Sequence, residues 1–386
     1  LPMQELFVDT PEQLNRLCEQ LRGSPWLALD TEFVREKTYH PHFCLLQVAN
    51  GEVAACVDPL ALEDLSPLLE IIYDPEITKV FHAGRQDLEI FHLLWERLPV
   101  PLFDTQLAAT LLGMGDQIGY GNLVKKVLDL DLDKGHARTD WSRRPLQESQ
   151  LRYAMDDVIY LGEIYELLLN RLQEMGRERW LDEDFGILSD PRTYLSDPPS
   201  EWQRIKGRQH LKGGQLAVLQ LLAGWRETTA RNANRPKRWI LKDEVLVDLS
   251  RRQPKNLSQM ERIRGLEAGS IKRHGKTLLE LIEQGKEIPR EQWPREKAIP
   301  PRLTPNQEAQ TDLLVCALRL LAEEGNITHT ALANRRELEK LVIGERDLDI
   351  LHGWRKLLAG DALLEVLDGS RLPGYLDGRL ALLPRE

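Results

Sequence analysis

The chain is short of everything that would mark a disulfide scaffold, a zinc site or a membrane protein. Cys18, Cys44, Cys56 and Cys316 are scattered with no CxxC pair, which excludes a disulfide framework and a cysteine zinc site and leaves reduced thiols. No apolar run is long enough to span a bilayer, so no membrane partner is expected. The opening LPMQELFVDTPEQL lacks the basic and apolar segments of a signal peptide; a cytoplasmic location is the expectation, with Met3 read as the natural start. Glycines cluster in GMGDQIGYG at 113–121, but no strand precedes them and no GK[ST] follows. That excludes a phosphate-binding loop, and with it a nucleotide cofactor.

Charge is present but unevenly placed. The net charge is −10, which taken alone disfavours a polyanionic partner. Residues 1–190 hold 17 Lys and Arg against 34 Asp and Glu, whereas residues 202–300 hold 22 against 11. An acidic module joined to a basic one suits metal chemistry in the first and a grip on nucleic acid in the second.

A chain of 386 residues predicts two or three domains. Segments 26–34, 43–49 and 53–57 read as strands, with a turn at Gly51-Glu52 that predicts an antiparallel meander. A helix within LEDLSPLLEIIYD, a strand at 78–82, a helix over 84–96, a short strand at 102–103 and a helix over 105–112 follow. This alternation predicts an α/β sheet of mixed strand direction. NLVKKVLD reads as a short helix, 131–146 as an exposed loop and 147–175 as one long helix. Residues 182–201 have the acidic, proline-bearing composition of a linker. Two all-helical sets come after it, separated by a second proline-rich break and read as a diverged repeat.

Four acids stand out: Asp30 and Glu32 in LALDTEF, Asp87 in HAGRQDLEIF, and Asp157 in YAMDDVIYL. Carboxylates in apolar surroundings are costly unless a cation neutralises them, and hard oxygen donors suit a divalent metal ion. Asp30 and Glu32 are two apart on a strand, so they share one face. Tyr153 and Asp157 are four apart on a helix and also share a face, with Asp156 turned elsewhere. Each feature has a plainer reading alone: a solvated strand face, a dipole-stabilising acid for Asp87, an amphipathic helix with one tyrosine. His82 reads as a strand-end histidine without a catalytic role.

In this order the motifs resemble the DEDD superfamily of 3′–5′ exonucleases, in the branch whose third motif is YxxxD. LALDTEF, FHAGRQDLEIF, FDTQLAATLLG, WSRRPL and LRYAMDDVIYL look like the ribonuclease D family. LQLLAGWRETTARNANRPKRWILKDEVLVDLSRRQP is similar to the HRDC domain shared by that family and RecQ-type helicases. The resemblance implies a ribonuclease H-like mixed sheet flanked by helices over 3–181, followed by two all-α helical HRDC-like domains. A linker at 182–210 leads to the first, 211–291; a second linker at 292–303 leads to a degenerate second, 304–384.

The activity implied is 3′–5′ exoribonuclease action releasing nucleoside 5′-monophosphates, by two divalent ions, Mg²⁺ or Mn²⁺, about 4 Å apart. Asp30, Glu32 and Asp157 match the acids around the water-activating ion. By the same resemblance Asp30 would also bridge to the second ion, with Asp87 nearby or acting through water, and Tyr153 matches the tyrosine that orients the nucleophilic water. The implied partner is RNA with a free 3′ end, above all tRNA precursors; a monomer is expected, because no exposed heptad seam or long apolar edge stands out in the sequence. A DNA exonuclease and a non-catalytic nucleic-acid-binding scaffold are the alternative classes. Arg226, Arg231, Arg235, Lys237 and Arg238, beside Trp225 and Trp239, are the candidate nucleic-acid contacts; for Trp225, in phase with Leu221 and Leu222, a core position is expected.

Overall fold

The computed structural model describes residues 3–133, 135, 139–296 and 302–385. The chain forms two compact units. The first contains Leu1–Glu32, Phe43–Thr193 and Pro301–Glu386; the second contains Phe33–His42 and Tyr194–Pro300.

The first unit is built on a six-stranded mixed sheet in the order β1-β4-β3-β2-β5-β6. The strands are β1 (Gln4–Val8), β2 (Trp26–Val34), β3 (His42–Ala49), β4 (Val53–Val57), β5 (Thr78–Phe81) and β6 (Leu102–Asp104). β3 and β4 are antiparallel, whereas β1 runs parallel to β4, β5 to β2, and β6 to β5. β1 and the helix α1 (Pro11–Leu21) are elements the sequence reading did not draw. A signal for the helix was present: Thr10 and Gln13 form a reciprocal capping box, with Pro11 as the first helical residue between them.

Further helices are α2 (Ser66–Ile72), α3 (Arg85–Trp95), α4 (Thr105–Leu111) and α5 (Tyr120–Leu128). The segment expected as one long helix is two, α6 (Glu148–Ile159) and α7 (Leu161–Glu174), which meet at Tyr160. Gly162 lies at this joint against the Trp26 ring, so close that a Cβ there would fall 1.9 Å from a ring carbon. The Trp26 indole N–H donates to Glu166 of α7 at 3.0 Å. The base of β2 thus fixes α7 through contacts remote in sequence.

The region around 139–146, expected as an exposed loop, holds a buried Trp141. The Arg144 guanidinium pins it, donating to both Asp58 carboxylate oxygens at 2.7 and 2.8 Å and to the Cys44 carbonyl at 2.7 Å. Residues 134 and 136–138 of that loop lie outside the described residues.

The second helical set, expected as a separate all-α domain, does not stand apart. Leu314, Leu318, Leu338 and Leu363 share one core with Phe103, Leu111, Leu123, Ile164 and Leu168. The buried Arg177 guanidinium stitches the two parts, donating to the carbonyls of Leu111 and Gly325 at 2.8 and 2.5 Å. Nor is the set all helical. Arg371–Leu376 and Arg379–Pro384 form an antiparallel hairpin, turned by Asp377 and Gly378 with φ of 50° and 77°. Asp-Gly is the favoured pair for such a tight turn.

In the second unit the long helices are Gly214–Asn232, Asp243–Arg252 and Ala268–Glu287. Their core includes Leu219, Leu222, Leu246, Leu249, Leu278 and Ile282. Trp202 and Ile205 join that core, although residues 182–210 were expected as a linker. The prolines there begin short helical turns such as Pro198–Arg204. Residues 297–301 of the second expected linker lie outside the described residues. No helix among the described residues is long and apolar enough to cross a membrane.

The Gly162 contact gives a direct test of the joint. Gly162→Ala should destabilise the fold by about 1–3 kcal/mol, because the Trp26 ring must be displaced. Gly186→Ala, on a helix with open space at its Cβ position, should be neutral or slightly stabilising. Urea unfolding of the two variants makes the comparison.

Candidate active site

The site is assembled at the far end of β2. Burial along this strand runs unbroken from Trp26 to Leu29, and the residues beyond alternate toward a cleft. Asp30 and Glu32 project from one face, and Asp157 of α6 meets them. Ligand oxygens of these three carboxylates lie within 4.8 Å of one another. The cleft, about 240 Å³, is lined also by Thr31, His82, Tyr120, Tyr153 and Leu161.

Asp87, on the first turn of α3, is buried. It accepts from the Thr31 N–H at 3.0 Å and from the Thr31 hydroxyl, so it is tied to the residue between Asp30 and Glu32. The tight β5–α3 turn delivers it there. The Asp104 carboxylate takes the N–H groups of Ala83 and Gly84 at 3.2 and 2.9 Å. A side chain at Gly84 would strike Phe81, with its Cβ 2.5 Å from the phenylalanine Cβ.

Asp156 faces away, paired with Arg152 at 2.7 Å. The Tyr153 ring lies 6.2 Å from the buried Trp141 ring, and its phenol is held above its ordinary pKa by burial and by the charges of Asp157, Glu32 and Asp30. It therefore remains protonated at neutral pH, suited to orienting a water rather than abstracting its proton. His82 is held by the Thr105 hydroxyl and the Ile118 carbonyl, each at 2.9 Å. The carbonyl requires the proton on Nε2, and burial lowers the pKa of the ring, so His82 is a neutral, fixed wall of the cleft.

The electrostatics of the acids are those of an uncompensated cluster. Burial, then Asp87, Asp157 and Glu32, raise Asp30 well above the carboxylate range. Burial followed by Asp157 and Asp87 pushes Glu32 up to about 9. Asp157 is raised to about 7 by burial, Asp156 and Asp87. Asp87 also rises to about 7 through burial, against the lowering effect of its Thr31 bonds. None of the ion pairs among the described residues involves these four acids. Converging carboxylates with no basic partner are the donor set that a hard divalent cation fits.

The five candidate nucleic-acid residues divide sharply. Arg226 is in the core, donating to the Leu241 carbonyl and the Asp243 carboxylate, both at 2.8 Å; burial removes it as a contact. Lys237 is held between Glu201 and Glu227 at 2.6 and 3.0 Å, and Arg231 donates to the Ser196 hydroxyl at 2.9 Å. Arg235 and Arg238 are exposed, and Trp239 beside them is 58% exposed. Trp225 packs against the helical core, its ring near His274. Sequence reasoning missed Gln47, Tyr120 and Trp141 near the acids. For Gln47 a signal existed: a lone amide in the apolar run FCLLQVA.

Comparison with known proteins identifies the family. Residues 6–173 match the 3′–5′ exonuclease family, and residues 215–282 match the HRDC domain. The chain is 40% identical over 384 residues to ribonuclease D of Gluconacetobacter diazotrophicus, covering 98% of this chain and 97% of that one. With ribonuclease D of Zymomonas mobilis the identity is 38% over 374 residues, 96% and 95% of the two chains. The crystal structure of Escherichia coli RNase D, an exoribonuclease involved in structured RNA processing, superposes with a TM-score of 0.79 at 34% identity, over 95% of this chain and 99% of that one. Carboxylate cluster, mixed sheet, helical module and full-length likeness agree: the chain belongs to the ribonuclease D family of 3′–5′ exoribonucleases.

Proposed function

We propose that the protein removes nucleoside 5′-monophosphates one at a time from free RNA 3′ ends, with tRNA precursors among its substrates, as a cytoplasmic monomer using two Mg²⁺ or Mn²⁺ ions. The observation that carries this reading is the trio Asp30, Glu32 and Asp157, whose oxygens converge within 4.8 Å with Tyr153 in the same cleft. Asp30, Glu32, Asp87 and Asp157 would hold the ions. When bound, such ions activate water and stabilise the departing 3′ oxygen.

The chain's own groups do the rest. Thr31 fixes Asp87 against β2, Trp141 backs the Tyr153 ring, and the protonated phenol offers its O–H or lone pair to a water at the cleft. Arg235 and Arg238 supply phosphate contacts, and Trp239 supplies a stacking face for an unpaired base. The likeness to a structured-RNA exoribonuclease supports RNA over DNA as substrate. Residues 3–181, 211–291 and 304–384 are proposed as the modules inherited in sequence, the third packed into the core of the first.

Glu32→Gln or Asp157→Asn should lower hydrolysis of a labelled RNA by about 10³-fold or more, the loss of several kcal/mol of transition-state stabilisation. Asp156→Asn should remain near wild type, since that carboxylate is turned to Arg152. Equal activity in all three variants would remove the assignment. Trp239→Ala should raise KM on a structured RNA about fivefold or more through lost stacking, with little change in kcat on a dinucleotide.

Metal removal gives a test that needs no substrate. Between the usual carboxylate range and the raised values of these acids, the folded metal-free chain binds more protons than the unfolded one. The stability these acids contribute then falls as pH rises, through a window that reaches about 9 for Glu32. Tm measured in EDTA should decline from pH 5 to 9, and saturating Mn²⁺ should flatten the decline. A flat profile in EDTA would contradict the crowding of the acids.

A further inference from the structure

Gln47 is the one polar side chain in the stretch Phe43–Ala49 of β3, and it is fully buried. Its register partner on β4 is Cys56, so nothing across that pair calls for an amide. Its Nε2 donates to Asp30 Oδ2 at 3.3 Å. Glu32, raised chiefly by burial, is drawn partly back down by a side-chain hydrogen bond from the same amide. The other end, Oε1, has no donor among the protein groups.

The electrostatics settle which way the amide faces. A carbonyl turned toward two carboxylates would repel both, whereas the NH₂ group has two protons to give. A buried acceptor without a partner has lost its hydration and gained nothing in exchange, and every neighbour of Gln47 from Phe43 to Ala49 is buried too. An unbranched apolar residue would suit that strand better. A lysine or arginine in this place would neutralise the acids and compete with a metal ion. A neutral donor orients them and leaves their charge intact, which is how groups behind metal ligands commonly act.

We propose that Gln47 is a positioning residue for the divalent-cation site, its amide holding Asp30 and Glu32 in one arrangement so that both present oxygen to the same ion. This rests on the reading of Asp30, Glu32 and Asp157 as metal-binding acids. Gln47 itself touches neither ion nor substrate in this role.

Full-length wild type, Gln47→Met and Glu32→Gln, each stripped with chelator and dialysed, are titrated with Mn²⁺ by calorimetry, and their Tm is measured without metal. Gln47→Met should keep or gain thermal stability, because an unpaired buried polar atom is gone. It should bind Mn²⁺ about tenfold or more weakly, with kcat on a short oligoribonucleotide reduced at limiting Mn²⁺, partly recovered at high Mn²⁺, and KM for the oligomer unchanged. A merely structural glutamine would give the opposite pair, lower Tm and wild-type Mn²⁺ affinity, and that result overturns the proposal. Gln47→Leu repeats the test; failure of both variants to fold would likewise make the amide structural and overturn it. Wild type and Glu32→Gln that bind Mn²⁺ alike would sink the assignment of the acids themselves, an outcome distinct from the failure of Gln47 alone.

Discussion

Four carboxylates brought together beside the apolar core of a sheet repel one another, and this repulsion is the constraint around which the first unit is organised. Each acid is more easily buried protonated than charged, as the raised values of Asp30, Glu32, Asp87 and Asp157 show. A fold that forces such groups into one cleft must fix them from several sides. β2 does so from the middle of the sheet, where β3 and β5 flank it. Thr31 holds Asp87 with two bonds, and the Asp104 clamp on the β5–α3 turn sets the helix that carries it. α6 brings Asp157 and Tyr153 from the other side. Its continuation α7 is fastened to the base of β2 by Trp26 against Gly162. The same strand thus positions two acids directly and helps place the helix pair that delivers the third.

That arrangement was legible in the sequence to the extent that it depends on local periodicity. The two-residue spacing of Asp30 and Glu32 fixes a shared strand face, and the four-residue spacing of Tyr153 and Asp157 fixes a shared helix face, whatever lies around them. The geometry brings together Asp30, Glu32 and Asp157, with Asp87 one residue's reach away through Thr31. What periodicity could not give was anything set by a distant partner. The break at Tyr160 is one case, because apolar spacing runs on through it while the Trp26 contact is 136 residues away in sequence. The sharing of a core by Leu314 and Ile164 is another. An amphipathic helix shows that it has a face to bury, but not against what. The hairpin at Asp377-Gly378 is a different kind of miss, since its turn signal was in plain view.

Counting basic residues proved a poorer guide than counting acids, and the asymmetry has a physical cause. A carboxylate in an apolar strand has few ways to be satisfied, so its surroundings already imply a cation. An arginine has a long apolar stem and five N–H donors, and can serve equally well in a core or on a surface. Arg226 spends its donors on Leu241 and Asp243, and Lys237 is taken by two glutamates. The +11 excess of residues 202–300 therefore overstates the charge available to a phosphate backbone. Beside Trp239, Arg235 and Arg238 remain exposed, and elsewhere in the same unit Arg251, Arg252, Lys255, Arg262, Arg264, Lys272, Arg273 and Lys276 are exposed too. Which basic residues are free to meet a phosphate is therefore decided residue by residue, by the partners each one finds in the fold, and not by the net count.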